Sequence, residues 1–340
     1  MKVLKKIIAI SIAFVFLICA FPLSVSAMTI YSGNFGFEVN TNTKTATLVS
    51  YKGTEENVSI PAYFRTYPVT FVSRDAFSYN SNIKSIVVSE NVARIDEDAF
   101  RGCSALESVA ISENVTEIGR SAFMDCTSLK TATVSANITE LPNNLFSGCT
   151  KLKSITLSDS IKKIGTGVFS RCTSLENLDF LNKVSVIGDS AFFGNNFTDI
   201  VIPENITSLP YYSFAFSDTL TNVTIGKQVT EINFYAFSDS NNIIINCFSG
   251  SYAHDFAVEN KIPFILLDGD KTGDVNGDGV VDILDATEIQ KYAAESTDFT
   301  DEQFELGDIN KDGYCDVIDA LLVQKSVIGA YEIPPIVIRY

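Results

Sequence analysis

A phenylalanine recurs at a fixed interval through the middle of the chain, and that interval limits the fold more than any other feature. Phe77, Phe100, Phe123, Phe146, Phe169, Phe192, Phe214 and Phe237 follow one another every 23 residues, with one step of 22 between Phe192 and Phe214. Six residues after most of them an apolar side chain (Ile83, Leu106, Leu129, Leu152, Leu175, Leu220) opens an L-x-x-V-x-I pattern. A V-x-x-I pattern follows, as in Val92/Ile95, Val115/Ile118, Ile161/Ile164 and Val229/Ile232. Each unit offers one short strand, a turn and one buried ring, too little to fold alone. Stacked units bury a continuous core and lay a parallel sheet along one face, so the repeat predicts a solenoid.

The units read roughly I-x-x-x-A-F-x-x-C-x-x-L-x-x-V-x-I, and on that pattern residues 30–268 resemble leucine-rich repeats of the bacterial BspA-like kind. The resemblance implies a mostly β, right-handed solenoid of ~23-residue repeats. Residues 34–70 resemble that family's β-rich N-terminal cap, and the stretch from Gly250 through Phe264 its closing helix and strand. Exposed solenoid ends require such caps.

The register also interprets the cysteines. Cys103, Cys126, Cys149 and Cys172 each lie three residues after a repeat Phe, so they stack on successive coils. Parallel side chains on neighbouring rungs do not present disulfide geometry, and ligands strung along a solenoid do not converge into a tetrahedral zinc site. Reduced cysteines acting as small buried hydrophobes are expected. On the strands, the residues between the inward apolar ones should face solvent: Ser85/Val87, Ser108/Ala110, Thr131/Thr133, Ser154/Thr156, Asn177/Asp179, Asp199/Val201 and Asn222/Thr224. That strip of small hydroxyls is either a flat recognition surface for a protein or glycan, or simply what suits an exposed parallel strand. No aromatic row lies on it, and the chain has no Trp.

Charge is concentrated elsewhere. The net charge is −16, which argues against nucleic acid or an anionic membrane as partner. Residues 270–332 carry sixteen Asp/Glu against four Lys. There the acids fall into two copies of one spacing. Asp274, Asn276, Asp278, Val280, Asp282 and Asp285 occupy positions 1, 3, 5, 7, 9 and 12 of a twelve-residue loop, with Gly279 at position 6. Asp308, Asn310, Asp312, Tyr314, Asp316 and Asp319 repeat the pattern around Gly313, 34 residues later. Side-chain oxygens, one backbone carbonyl (Val280 or Tyr314) and a glycine at the sharp turn form the calcium-loop pattern of EF-hands. Two ions are expected, with folding and binding coupled, because the clustered carboxylates repel one another when no cation is present.

Two features depart from an EF-hand: position 12 is Asp, and no helix precedes either loop. A helix should follow each, over about Ile283–Ala294 and Val317–Ile328, with a short one beginning at Thr300, where Thr300-x-x-Gln303 can form a capping box. This duplicated loop–helix resembles type I dockerins, a small all-α calcium-binding module with two EF-hand-like motifs. The resemblance implies a partner, the cohesin module of a scaffoldin in a cellulosome. It also implies contact through loop positions 10–11 and helix positions 17–18. Here those are Ile283, Leu284, Gln290 and Lys291, then Val317, Ile318, Gln324 and Lys325. Many dockerins carry Ser/Thr and Lys-Arg there, so the aliphatic pair with Gln-Lys leaves the particular cohesin open.

The expected organisation is a signal peptide (1–27; Lys2, Lys5 and Lys6, then an apolar run and Val25-Ser26-Ala27), repeats with caps (28–268), a linker (269–273), the dockerin (274–332) and a tail (333–340) that clasps back on it. Secretion without membrane insertion follows, with attachment through cohesin. No catalytic constellation is visible, and the single His254 has no partner motif. The expected role is a non-catalytic accessory or adhesion protein whose repeats recognise an unknown protein or glycan. The alternative is an atypical cellulosome-associated enzyme or enzyme inhibitor acting in polysaccharide breakdown.

Overall fold

The computed structural model describes residues 28–176, 178–267, 272–331 and 333. The expected signal peptide, most of the expected linker and nearly all of the tail lie outside the described residues. The repeats wind into a mostly β solenoid of about ten turns. Strands Ser108–Ile111 and Thr131–Val134 alternate exposed and buried, sending Val109, Ile111, Ala132 and Val134 inward. Thr131 pairs in parallel with Ser108 on one side and Ser154 on the other, so the 23-residue period becomes strand register.

The repeat Phe side chains form a spine. Their rings stack from Phe77 to Phe237 at centroid separations from 4.9 Å (Phe77–Phe100) to 6.0 Å (Phe146–Phe169 and Phe214–Phe237). Stacked rings of this kind add about 0.5–1.5 kcal/mol per pair beyond burial. Beside the spine run Cys103, Cys126, Cys149 and Cys172, buried and in no disulfide. The Sγ atoms of Cys103, Cys126, Cys149 and Cys172 each donate to the carbonyl of the Phe on the preceding coil (Phe77, Phe100, Phe123 and Phe146) at 3.2 Å. Farther on, Asn195 Nδ2 and Ser240 Oγ make the same bond to the carbonyls of Phe169 and Phe214. Thiol, amide and hydroxyl all serve as the donor at this position, while the hydroxyl of Ser217, three residues after Phe214, is buried there without a partner. Burial pushes the Cys172 thiol up to about 12.

Two details differ from the sequence expectation. The V-x-x-I half of each unit forms a second strand of two residues, as in Arg94–Ile95, Glu117–Ile118, Glu140–Leu141 and Lys163–Ile164. Each unit thus feeds two sheets rather than one. Its buried Ile or Leu draws the backbone against the next coil, with Arg94 opposite Glu117 and Glu140 opposite Lys163. The second difference is Asp179, expected to face outward from a strand. It instead begins a 3-10 helix, Asp179–Lys183. Phe180 and Leu181 are both buried there, which a strand cannot arrange for consecutive residues. The first sheet stops at Ser154–Leu157 and resumes at Asp199–Ile202.

Both ends are covered. At the N-terminal end Ile30–Ser32, Phe35–Asn40 and Thr45–Tyr51 form an antiparallel unit, whose last strand then pairs in parallel with Tyr67–Val72. At the other end helix α1 (Tyr252–Glu259) is capped by Ser251, and Phe264–Leu266 adds a final parallel strand. His254 belongs to this cap: its Nδ1 accepts from Gly250 N at 3.2 Å and its ring meets Phe264 at 4.9 Å.

Beyond residue 271 lie three helices: α2 (Ile283–Ala293), α3 (Asp301–Gly307) and α4 (Val317–Val327). They enclose a small core of Val275, Ala286, Ile289, Ile309, Cys315, Ala320 and Val323. Thr300 and Gln303 form the expected capping box on α3. Tyr331 and Ile333 pack against this core, so the tail begins by folding back on the module.

Candidate metal loops and docking face

Each loop is wound by its own carboxylates. In the first, Asp274 accepts from the backbone N–H groups of Asp278 (3.1 Å) and Gly279 (3.0 Å). Asn276 Oδ1 accepts from Asp278 N at 2.8 Å and Asp278 from Val280 N at 2.9 Å. Asp285 reaches back from α2 to accept from Asn276 N (3.1 Å) and Asp282 N (2.9 Å). Asp282 in turn accepts from Leu284 N at 2.6 Å, so Asp282 and Asp285 close the loop and cap α2 together. The second loop repeats the set. Asp308 accepts from Asp312 and Gly313, Asn310 from Asp312, Asp312 from Tyr314, and Asp316 from Ile318. Asp319 accepts from Ile309, Asn310 and Asp316.

Backbone geometry explains the glycines. Gly279 and Gly313, at position 6, have φ of 89° and 86°, the left-handed region that disfavours side chains. Position 4 is left-handed as well, at Gly277 and Lys311, which the sequence reading passed over. Depth differs around each ring. Asp285 and Asp319 are fully buried and Asp274 almost so, while Asn276, Asp278, Asn310 and Asp312 lie at the surface. Desolvation by burial raises the Asp285 and Asp319 carboxyls above the usual range, with the Asp274 and Asp308 charges adding to the rise. Among the described residues no three Asp, Glu, His or Cys side chains converge as a metal cluster, since the carboxylates are turned onto backbone N–H groups. The donor set still fits a hard divalent cation. Each loop supplies oxygen only, from four carboxylates, one amide and one main-chain carbonyl, with buried negative charge that lacks a basic partner in any of these contacts.

Immediately after each loop the helix presents the expected aliphatic pair to solvent. Ile283 and Leu284 are 53% and 56% exposed, and Val317 and Ile318 are 63% and 52% exposed. About two turns on, Gln290, Lys291 and Lys325 are exposed and Gln324 is half-buried. Lys291 pairs with Glu288 at 2.7 Å. The sequence reading missed that the two helices differ in apolar area. Leu321, Val327 and Ile328 are exposed on and just beyond α4, where the equivalent places on α2 hold Thr287, Ala293 and Ala294.

On the solenoid, the strip of Ser108, Ala110, Thr131, Thr133, Ser154 and Thr156 faces solvent as its register requires. Where the 3-10 helix interrupts the sheet, a hollow of about 550 Å³ opens, lined in part by Lys130, Lys153, Glu176 and Asp179. Lys153 and Glu176 pair across it at 2.9 Å. None of the described helices is long and apolar enough to cross a membrane.

Residues 70–198 and 185–253 match the BspA type leucine-rich repeat region, in six copies, and residues 272–328 match the dockerin type I domain. Similar solved structures include a leucine-rich repeat protein from Bacteroides ovatus, 22% identical, covering 64% of this chain and 70% of that one, with a TM-score of 0.46. A leucine-rich cell surface protein from Faecalibacterium prausnitzii is 23% identical, covering 66% and 89%, with a TM-score of 0.35. A leucine-rich repeat protein from T. pallidum is 20% identical, covering 60% and 86%, with a TM-score of 0.45. No match was found among curated proteins.

Proposed function

This chain belongs to the BspA-type leucine-rich repeat family and carries a type I dockerin domain, and on that premise we propose that it is a secreted accessory protein without catalytic function of its own. Its dockerin attaches it to a scaffoldin cohesin in a calcium-dependent way, and its repeats recognise a protein or surface ligand. Type I dockerin domains bind calcium and imply a cohesin partner. In this chain Asp274, Asn276, Asp278, Asp282, Asp285 and the Val280 carbonyl would hold one ion. Asp308, Asn310, Asp312, Asp316, Asp319 and the Tyr314 carbonyl would hold a second. The cation supplies the positive charge that buried carboxylates such as Asp285 and Asp319 otherwise lack.

The observation that carries the reading is the coupling of each loop to its docking pair. Asp282 and Asp285 cap α2 at the residues next to Ile283 and Leu284, and Asp316 and Asp319 do the same beside Val317 and Ile318. An ion that tightens the loop therefore orients the exposed pair, which makes a small apolar interface centre with Lys291 or Lys325 at its rim. Capture of the intact protein on a panel of immobilised cohesins, with calcium and then with chelator, tests this. Capture by at least one cohesin in calcium and release in chelator is expected. Capture that persists in chelator overturns the calcium dependence, and no capture by any cohesin overturns the partner.

The hollow beside the 3-10 helix favours one second reading, an atypical enzyme or enzyme inhibitor acting in polysaccharide breakdown. Turnover of cell-wall glycans, or inhibition of a glycanase, that disappears in Asp179→Asn or Asp199→Asn would establish it in place of the accessory role.

A further inference from the structure

The surface formed by the solenoid turns changes character along its length. Near the N-terminal end it is charged: Glu97 lies between Arg74 and Arg120, and Asp98 pairs with Arg101. From residue 193 onward it becomes aromatic. Phe193, Tyr211, Tyr212, Phe216, Phe234 and Tyr235 form an unbroken group of rings. Phe193 meets Phe216 at 4.8 Å, Tyr211 meets Tyr212 at 3.9 Å, Tyr212 meets Tyr235 at 5.8 Å, and Tyr235 meets Phe234 at 4.9 Å.

These rings are not surplus core. Tyr211, Phe216, Phe234 and Tyr235 are 41%, 45%, 67% and 44% exposed. Contiguous exposed apolar surface of this kind marks a contact site. Tyr212 and Phe216 also sit at φ of 55° and 57°. The six preceding turns fill the place of Tyr212 with Asp75, Asp98, Ser121, Asn144, Gly167 or Ser190, types that are small or tolerate left-handed backbone, and only the next turn, without a positive φ, has a second ring there, Tyr235. The place of Phe216 holds Gly102, Asp125, Gly148, Gly194 or Asp239 in most turns, with Tyr79 and Arg171 as the other bulky occupants. Folding alone would be better served by Asn or Gly under these two rings, so the backbone and solvation cost points to a role in contact.

The surroundings say what kind of partner fits. Exposed Asp189, Asp218 and Asp239 adjoin the rings along the chain or across the coils (Ser190 N donates to Tyr211 O, and Phe216 N to Ser238 O), with Arg171 on the preceding turns and Glu259 and Lys261 at the Phe234 end. The Tyr211 hydroxyl is raised above its usual value, chiefly by its hydrogen bond to Tyr212 and by desolvation, and Asp189 is near enough to add the smallest contribution. Negative ring faces with an acidic border favour a cation. The rings are mutually tilted, from 38° (Tyr211–Tyr212) to 88° (Phe234–Tyr235), so they do not form the flat platform on which a sugar chain would lie. At one end Phe234 also lines a groove of about 360 Å³ with Phe237, Phe256 and Ile262, which has room for an apolar side chain.

We propose that this aromatic face of the last turns docks a protein segment that combines apolar residues with Arg or Lys. The inference rests on the recognition role given to the repeats and supplies its location and the chemistry of the partner. The test uses the intact calcium-loaded protein and fluorescent Leu- and Val-rich peptides carrying either Arg or Glu, read by anisotropy. The Arg peptides should bind and the Glu peptides should not. The variant Tyr211→Ser/Phe216→Asn/Tyr235→Ser should bind about ten-fold more weakly. Asp189→Asn/Asp218→Asn/Asp239→Asn, which keeps the rings and serves if the first variant fails to fold, should lose several-fold together with its salt dependence. Four results overturn the proposal: no Arg peptide bound, equal binding of Glu peptides, full affinity in both variants, or a concentration-dependent dimer abolished by the ring variant. Retardation in gels containing soluble glycan that the ring variant alone loses would assign the face to carbohydrate and equally overturn it. Cohesin capture should be unchanged in both variants, so failure of the docking reading would show separately.

Discussion

The solenoid and the dockerin solve the same problem, holding repeated short units together, with opposite chemistry. The solenoid is organised by apolar side chains. Stacked Phe rings and buried aliphatic residues run unbroken from Phe37 to Phe264, and the few polar groups inside are small, such as the Cys172 thiol and Asn195 amide that donate to carbonyls and the Ser213 and Ser217 hydroxyls that do not. The dockerin's buried core is seven small or aliphatic residues with aromatic rings at its margin, and the shape of its loops is set by carboxylates. A core of that size offsets little chain entropy. The stability of the first region therefore rests on burial, and on the proposed calcium reading that of the second rests on the cation its loops would hold.

Removing the cation is the sharpest way to break that assignment. In calcium, calorimetry should show two separate transitions, and chelator should abolish the one belonging to the dockerin together with part of the helical circular dichroism. The loss should be large, since a site held at a thousand times its Kd contributes about 4 kcal/mol. The solenoid transition should stay in place. A solenoid that melts with the dockerin would show that its own burial does not suffice.

The converse substitution lies in the spine. Phe146→Ala removes a ring stacked between Phe123 and Phe169 at 5.8 and 6.0 Å, and should cost the solenoid about 3–5 kcal/mol without shifting the dockerin transition. Cys149→Ala should cost less, about 1–2 kcal/mol, because it leaves the Phe123 carbonyl without its thiol donor but opens little space. The thiols also predict a pH dependence. Cys172 is held protonated up to about 12 in the fold, against about 9 when unfolded. The unfolded chain thus loses its proton first, and stability should fall as pH rises from about 9 toward 12, with no effect of this group below that window. Alkylation at pH 9 should spare Cys172 in the native protein and proceed once denaturant is added.

The two regions were legible in the sequence to different depths, for a physical reason. A solenoid repeats its environment, so one spacing read at Phe100 and Phe123 places every later ring and the cysteine beside it. Only where a unit carries two adjacent inward residues, Phe180 and Leu181, does the period mislead, turning an expected strand into a 3-10 helix. The two-residue strands were hidden because V-x-x-I spacing does not alternate. In the dockerin the loop spacing and both helix starts were readable, since Asp282 and Asp316 act as loop residue and helix cap at once. The aromatic group near Tyr212 was not, because its members come from three turns and are spread over four register positions, on either side of the repeat Phe.

Within the dockerin a smaller comparison remains, between α2 and α4. Their aliphatic pairs match, but α4 adds exposed Leu321 where α2 has Thr287, and Val327 and Ile328 where α2 has Ala293 and Ala294. If apolar area decides which helix docks, α4 should be preferred. Leu321→Thr should then weaken cohesin binding by about 1 kcal/mol, roughly five-fold in Kd, and Thr287→Leu should leave the α4-bound complex unchanged. In the double variant, which exchanges the two side chains, the preference should move to α2. Titration calorimetry with one cohesin measures the affinities, and the mirrored pair Leu284→Asp and Ile318→Asp reports which helix is in use. Equal losses from those two charge substitutions would mean that the extra apolar area on α4 does not select the docking helix.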